Sequence, residues 1–170
     1  MLAGELAERV PMVALSTTGA EAARVMAEYR LTALVVADEA GVPVQVIPGS
    51  QLLRLILPQF VRDDPKLAHA YDEGGAQELC RTLNDTTIGQ LLEADRLSGE
   101  EPPSVLPQDT LVEIASAMSD AHTPAILVRG RDGTFHGVVT MSRALAAIAL
   151  AAGQESPLIT RRLERDLGGE

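Results

Sequence analysis

The stretch AILVRGRDGTFHGVVTMSRAL, residues 125–145, decides the fold of this chain. It opens with a continuous apolar run, which is typical of a strand buried on both faces. A turn at Gly130 to Gly133 follows, then a second strand that ends at Thr140, then a helix. Gly137 inside that second strand lets another backbone or a ligand approach closely, and Thr140 places a hydroxyl beside the free amides of a helix start. We therefore interpret the stretch as a hairpin and a helix that meet at a candidate binding rim.

An earlier part of the chain repeats this pattern. A shift of 92 residues places 13–53 on 105–145 without a gap, and 11 of the 41 aligned positions are identical. Many of the mismatches exchange one apolar residue for another, so the hydrophobic phase is preserved. A duplication explains this better than a shared bias towards alanine.

The elements are predicted from the same periodicities. The repeats should contain strands over 33–37, 42–47, 125–128 and 134–140, with helices that start near Thr18, Ser50, Thr110 and Ser142. Outside them we expect helices over 1–10, 66–71, 76–83 and 158–167, and a short helix near 87–92 that introduces the second repeat. The predicted organisation is a first repeat with its introducing helix over 1–57, a helical spacer over 58–86, a second repeat with its introducing helix over 87–152 and a helical tail over 153–170.

Composition limits the possible functions. Of the 170 residues, 46% are hydrophobic, 22% are charged and 2% are aromatic, as in a soluble protein whose core is built from small aliphatic side chains. The net charge of −10 argues against nucleic acid, because neutralising phosphates needs a basic face. A local arginine still permits a small anionic ligand. The N-terminus lacks the pattern of a secretory signal and no apolar run is long enough for a bilayer, so we expect a cytoplasmic protein without membrane insertion.

No pattern typical of an enzyme appears. The sequence contains no glycine-rich phosphate loop, no serine nucleophile elbow and no cluster with metal-ligand spacing. Cys80 is the single cysteine and is expected to be a small buried residue. His122 is expected to act at a helix end. We therefore expect neither catalysis nor an obligatory cofactor.

The duplicated unit resembles the tandem CBS-domain module, also called a Bateman module. The resemblance covers about 13–56 and 105–149, and its most specific residues are the run Gly137-Val138-Val139-Thr140-Met141-Ser142-Arg143-Ala144-Leu145. It implies an α/β (α+β) fold of two β-α-β-β-α repeats packed about a pseudo-twofold axis, with two clefts between them. In many members the clefts bind AMP, ADP, ATP or S-adenosylmethionine, and two modules commonly form a disc-shaped homodimer.

The resemblance also implies site residues. In members that bind nucleotides, a threonine and an aspartate of the closing pattern hold the ribose hydroxyls, and backbone groups before the second strand read the adenine edge. On this chain the implied ligand-binding positions lie in the second copy: Val105, Pro124, Ala125, Ile126, Thr140, Ser142 and Arg143. For Val105 and Ile126, membership of the hydrophobic core is an alternative reading.

The chain departs from that pattern at both clefts. Arg143 occupies the aspartate position of the second copy; arginine cannot accept a hydrogen bond but can clamp a phosphate. Its alternative is a solvated residue paired with a nearby acid, and the alternative for Thr140 is a helix cap. In the first copy, Pro48 replaces the threonine and has neither a hydroxyl nor an amide hydrogen. The sequence therefore places the better equipped cleft around Thr140.

Two functional hypotheses remain open. In the first, the chain is a stand-alone regulatory module that senses an adenosyl ligand in the cleft between the repeats and acts on a protein partner in trans. In the second, it is a ligand-free dimeric scaffold that presents its spacer and tail to a partner. Gly137 and Thr140 favour the first hypothesis, and the altered first copy favours the second.

Overall fold

The computed structural model describes residues 1–95 and 101–165. The first part of the chain contains α1 (Ala3–Leu6), β1 (Met12–Ala14), α2 (Gly19–Tyr29), β2 (Ala33–Ala37), β3 (Pro43–Pro48) and α3 (Gly49–Leu55). The spacer contains α4 (Gln59–Asp63), a 3₁₀ helix (Pro65–Ala70) and α5 (Glu73–Thr82), and it is followed by α6 (Ile88–Ala94). The second repeat and the tail contain β4 (Ser104–Val105), α7 (Leu111–Asp120), β5 (Ala125–Arg129), β6 (Phe135–Thr140), α8 (Met141–Ala151) and α9 (Pro157–Glu164).

The two repeats have the same shape. Each forms a three-stranded sheet in which the first strand runs parallel to the second and the third runs antiparallel. Ala33 pairs with Pro48 in the first sheet, and Ala125 pairs with Thr140 at the equivalent position of the second. Both hairpins carry an irregularity one residue before the second strand of the sheet ends. The mixed α/β fold and the duplication predicted from the sequence are confirmed.

Each introducing helix packs on the opposite repeat. Helix α1 buries Ala3 and Leu6 in the core of the second repeat, and α6 buries Ile88 and Leu92 in the core of the first. Backbone hydrogen bonds hold the exchange in place: the amide of Ala3 donates to the carbonyl of Asp109 at 2.8 Å. The two repeats are thus tied together at both ends of the pair.

The sheets face each other through a third apolar cluster. It contains Ala33, Val35 and Val46 from the first repeat and Ala125, Leu127 and Val138 from the second. These side chains alternate along their strands with the residues that face the helices, as the period of a β-strand requires. The continuous apolar runs in the sequence are therefore strands that bury both faces.

Gly137 brings the N-terminal segment against β6. Glu8 and Val138 exchange both backbone hydrogen bonds at 2.9 Å, so residue 8 pairs with the outer edge of the second sheet. Gly137 has φ of +140°, and a Cβ there would lie 2.9 Å from the carbonyl oxygen of Glu8. The sequence predicted that another backbone or a ligand approaches this glycine, and the structure shows the backbone of Glu8 there.

Several local predictions are wrong. The N-terminal helix ends at Leu6 instead of residue 10, because the backbone of Glu8 pairs with β6. Cys80 is exposed instead of buried. Helix α3 begins after Pro48 and α8 after Thr140, so Ser50 and Ser142 lie inside the first turns instead of capping them.

The tail is helical as predicted, although α9 ends at Glu164 and residue 167 lies outside the described residues. Leu158 at its start is 73% exposed, whereas Leu163 packs against the core of the second repeat. Across the described ranges, no helix combines the length and the hydrophobicity that a bilayer crossing requires.

We predict that Gly137→Ala lowers the free energy of unfolding by about 3 kcal/mol, because the added methyl group strains the backbone and pushes against Glu8. Gly133→Ala is the control, since Gly133 also has positive φ (+85°) but has open space around it. Backbone strain alone predicts a cost of about 1 kcal/mol there. Urea unfolding of the three proteins measures the difference, and equal costs at both positions would contradict the close contact.

Candidate functional site

Two clefts lie between the repeats at positions related by the duplication. Each is bounded by the end of the third strand of one sheet and by the turn before the second strand of the other. Arg30 and His122, at equivalent positions in those turns, both adopt left-handed backbone with φ of +53° and +48°. The turns thus have the same shape, and the clefts differ through their side chains.

The first cleft is open, with a volume of about 700 Å³. Its walls come from both repeats: Gln45, Val46, Pro48, Ser50, Gln51 and Arg54 from the first, and Glu101, Pro102, Pro103, Ala121, His122 and Thr123 from the second. The proline at position 48 leaves no hydroxyl where the second copy has Thr140. Arg54 supplies a mainly exposed guanidinium group, 3.8 Å from Asp95.

The second cleft is almost filled, with a volume of about 30 Å³. Its lining includes Ala125, Thr140 and Ser142, as the sequence predicted, but also Arg162 from the tail. The second cleft therefore differs from the first both in its own side chains and in the presence of a tail residue.

A buried carboxylate lies beside Thr140 at the second cleft. The side chain of Glu8 is fully buried, and its backbone is held in place by the pairing with Val138 beside Gly137. The hydroxyl of Thr140 donates to Oε1 of Glu8 at 2.6 Å. Thr140 occupies the N-cap position of α8, as its alternative role predicted, but its hydroxyl makes no capping hydrogen bond to the helix.

Arg162 covers this carboxylate and the neighbouring hydroxyls. Its Nη2 donates to Oε1 of Glu8 at 2.7 Å and to Oγ1 of Thr140 at 2.6 Å, and its Nη1 donates to Oε2 of Glu8 at 3.1 Å. Its Nε donates to Oγ of Ser142 at 2.8 Å. One guanidinium group thus contacts the side chains of Glu8, Thr140 and Ser142.

Arg143 belongs to the same cluster. Its side chain is 9% exposed, and its Nη1 lies 3.5 Å from Oε2 of Glu8 and donates to the carbonyl of Arg165 at 2.7 Å. The acid expected beside a solvated Arg143 is therefore present, but the pair is buried. Two arginines share one buried carboxylate, which is the kind of pairing that buried charge requires.

The remaining predicted positions lie elsewhere. Pro124 lines a neighbouring cavity of about 460 Å³ that shares Pro48 and His122 with the first cleft. Val105 and Ile126 are buried in the hydrophobic core of the second repeat, as the alternative reading had it. Of the seven predicted positions, the second cleft brings together Ala125, Thr140, Ser142 and the adjoining Arg143.

Sequence reasoning missed Glu8, Arg162 and Arg54. Glu8 lies in a segment whose apolar spacing predicted a helix, and nothing in that spacing indicates a buried acid. The tail sequence shows a helical pattern, which gives no sign that Arg162 reaches a cleft. Arg54 becomes visible only once α3 is known to border a cleft. Within the described ranges, no three His, Cys, Asp or Glu side chains are arranged to hold a metal ion.

Family models agree with this architecture. The CBS-domain model matches residues 3–58 and 94–150, which contain the two repeats. The chain belongs to the CBS-domain family. As a tandem CBS pair it falls in a family whose members are typically regulatory.

Solved structures of CBS proteins resemble this one. A CBS domain-containing protein of unknown function from Kribbella flavida is 33% identical, with a TM-score of 0.68 over 88% of this chain and 99% of that chain. CBSX2 from Arabidopsis thaliana is 21% identical, with a TM-score of 0.64 over 91% of this chain and 98% of that chain. A structure of CBSX2 in complex with AMP is 19% identical, with a TM-score of 0.61 over 89% and 98% of the two chains. The two CBSX2 structures show a shared fold alone, and none of the curated proteins matches the chain.

Proposed function

We propose that this CBS pair is a regulatory module that binds an adenosyl ligand, namely AMP, ADP, ATP or S-adenosylmethionine, between its repeats. One observation carries the proposal: a cleft of about 700 Å³ is lined by residues of both repeats. Sites for ligands of this size commonly have volumes of about 300–1,000 Å³. The AMP complex of CBSX2, which has the same fold, supports this choice of ligand class.

In this conformation, the open first cleft is the binding site for the adenosyl ligand. Val46 and Pro48 offer apolar wall to a flat ring, and Gln51 and Ser50 offer polar groups. Arg54 at the same wall provides a local positive charge for a phosphate, which a chain with net charge −10 needs at such a site. The cleft around Thr140, which the sequence favours, has no room while Arg162 is docked.

Regulation follows from the two-sided lining. Pro48 and Arg54 come from one repeat, and Pro103 and His122 come from the other. A ligand that touches both repeats favours one of their relative orientations, provided that its affinity differs between the orientations. A protein partner that reads this orientation would receive the signal, and no catalytic step is part of the proposal.

A scaffold without a ligand is the second candidate. Two observations favour it: Pro48 has no hydroxyl, and the second cleft is filled. Neither cleft therefore offers a free threonine hydroxyl and carboxylate for a ribose, as family members that bind nucleotides do. Both candidates use the same fold, so a binding experiment separates them.

We predict that at least one of the four adenosyl ligands stabilises the protein against heat, by about 2.7 kcal/mol at a hundred times its dissociation constant. Arg54→Ala should weaken AMP, ADP and ATP about tenfold, because a charge-assisted hydrogen bond to phosphate is lost. S-adenosylmethionine, which has no phosphate, should be almost unaffected. Isothermal titration calorimetry measures the affinities.

Arg81→Ala is the matched control, since Arg81 is an exposed arginine on α5 outside the cleft. A loss of binding with Thr140→Ala, but not with Arg54→Ala, would show that the ligand binds in the second cleft and not in the first. No stabilisation by any of the four ligands would favour the scaffold.

We also propose that two copies associate through α8. Met141, Leu145 and Ile148 are exposed at helical spacing on one face, and Leu145 is 56% exposed. Leu53, the equivalent of Leu145 in the first repeat, is 64% exposed. The same apolar residue on the same helix of both repeats suits a second copy of the chain, which presents the same pair.

We predict that Leu145→Glu converts a dimer into a monomer, because a charge in an apolar interface loses its hydration. Multi-angle light scattering coupled to size-exclusion chromatography gives the mass directly. Val42→Glu, at an exposed apolar residue in the turn before β3, should leave the mass unchanged. A wild-type protein of monomeric mass would contradict this association.

A further inference from the structure

The second cleft contains more ligand-binding chemistry than its sequence motif indicates. Arg143 replaces the aspartate of the closing pattern, but Glu8 brings a carboxylate to 2.6 Å from the hydroxyl of Thr140. Glu8 reaches this point from the segment before β1, across the interface between the repeats. A carboxylate beside a hydroxyl is a suitable acceptor and donor set for the hydroxyl groups of a sugar. The second cleft therefore keeps the polar groups that the first cleft lacks at Pro48.

Arg162 now satisfies all of these groups. It donates to both oxygens of Glu8 and to the hydroxyls of Thr140 and Ser142, over distances of 2.6–3.1 Å. Any ligand hydroxyl would have to bond to the same atoms. The remaining volume of about 30 Å³ excludes even a single ribose ring. Arg162 therefore occupies the hydrogen-bonding groups that a bound ligand would need.

Helix α9 packs along α8. None of its residues is buried, and Arg162 keeps 21% of its side chain exposed. Leu163 adds a partly buried apolar contact, and the carbonyl of Arg165 accepts from Arg143. An isolated helix of 8 residues is marginal in water, so its order depends on this docking.

The cleft can tolerate loss of the tail. Glu8 would still have Nη1 of Arg143 at 3.5 Å and the hydroxyl of Thr140, so its charge would not be left alone. Arg143 would also lose its bond to the carbonyl of Arg165, which frees a donor for a phosphate. The role that the sequence suggested for Arg143 thus becomes available in the undocked state.

We propose that α9 is an autoinhibitory segment whose Arg162 competes with an adenosyl ligand for the second cleft. This inference rests on the proposed function, since it assumes that the chain binds such ligands. The competition is reciprocal: ligand in the second cleft releases the tail, and anything that removes the tail opens the cleft. If the tail is docked in about 99 of 100 molecules, the apparent affinity of the cleft falls about a hundredfold.

Calorimetric titration with AMP tests the competition. Wild-type protein should bind one equivalent tightly, in the first cleft, with a second equivalent about a hundredfold weaker. Arg162→Ala should bind two equivalents tightly, and the additional Thr140→Ala change should remove one of them. Arg161→Ala is the matched control on the same helix, because Arg161 is exposed, and it should behave as wild type. Arg162→Gln replaces Arg162→Ala if the latter does not fold.

Hydrogen–deuterium exchange gives a second measurement. Amides of residues 158–165 should exchange faster in Arg162→Ala, and faster in wild type when AMP occupies both clefts, while β5 and β6 stay protected. One tight equivalent in both wild type and Arg162→Ala overturns the inference and leaves the proposed function intact. Two tight equivalents in wild type also overturn it. Absence of AMP binding in every variant, with no stabilisation by ADP, ATP or S-adenosylmethionine, overturns the proposed function, and the inference falls with it.

Discussion

The buried carboxylate of Glu8 is the constraint on which the asymmetry of this protein depends. An ionised group without water must be paired, because its desolvation costs several kcal/mol, on the order of the stability of a whole domain. Gly137 allows the backbone of Glu8 to pair with Val138 and so fixes the carboxylate beside Thr140. Arg143 and Arg162 then gather around it. Gly137 in β6 thereby determines that Glu8 and its arginine partners lie at the second cleft.

The fold was predictable because the information lies in local patterns that occur twice. The apolar runs at β2 and β5, the glycines at 41 and 133 and the threonine before α7 each indicate the same structure in both copies. The two hairpins have the same register at an offset of 92 residues, so the prediction for one copy supports the prediction for the other. The packing of α1 on the second repeat was harder to predict, because the sequence of a short amphipathic helix does not indicate which core it covers.

The site was only partly predictable because its decisive contacts join distant parts of the chain. Glu8 and Thr140 are 132 residues apart, and Glu8 and Arg162 are 154 apart. Neither Glu8 nor Arg162 belongs to the duplicated unit, so comparison of the two copies cannot reveal them. Within the unit, the changes at Pro48 and Arg143 were visible and showed that the clefts differ. The structure differs from the sequence-based expectation about which cleft is available, since the second cleft, which has the better motif, is the one that is filled.

Arg162 is inserted in the second cleft and pairs with Glu8, and a double-mutant cycle on the free energy of unfolding tests this pairing. The four proteins are wild type, Glu8→Gln, Arg162→Ala and the double variant, unfolded in urea. The contact between Glu8 and Arg162 predicts a coupling energy above about 1 kcal/mol, since the effects of contacting partners in one buried network are not additive. A coupling below about 0.3 kcal/mol, as found for groups that do not touch, would show that the tail does not occupy the cleft.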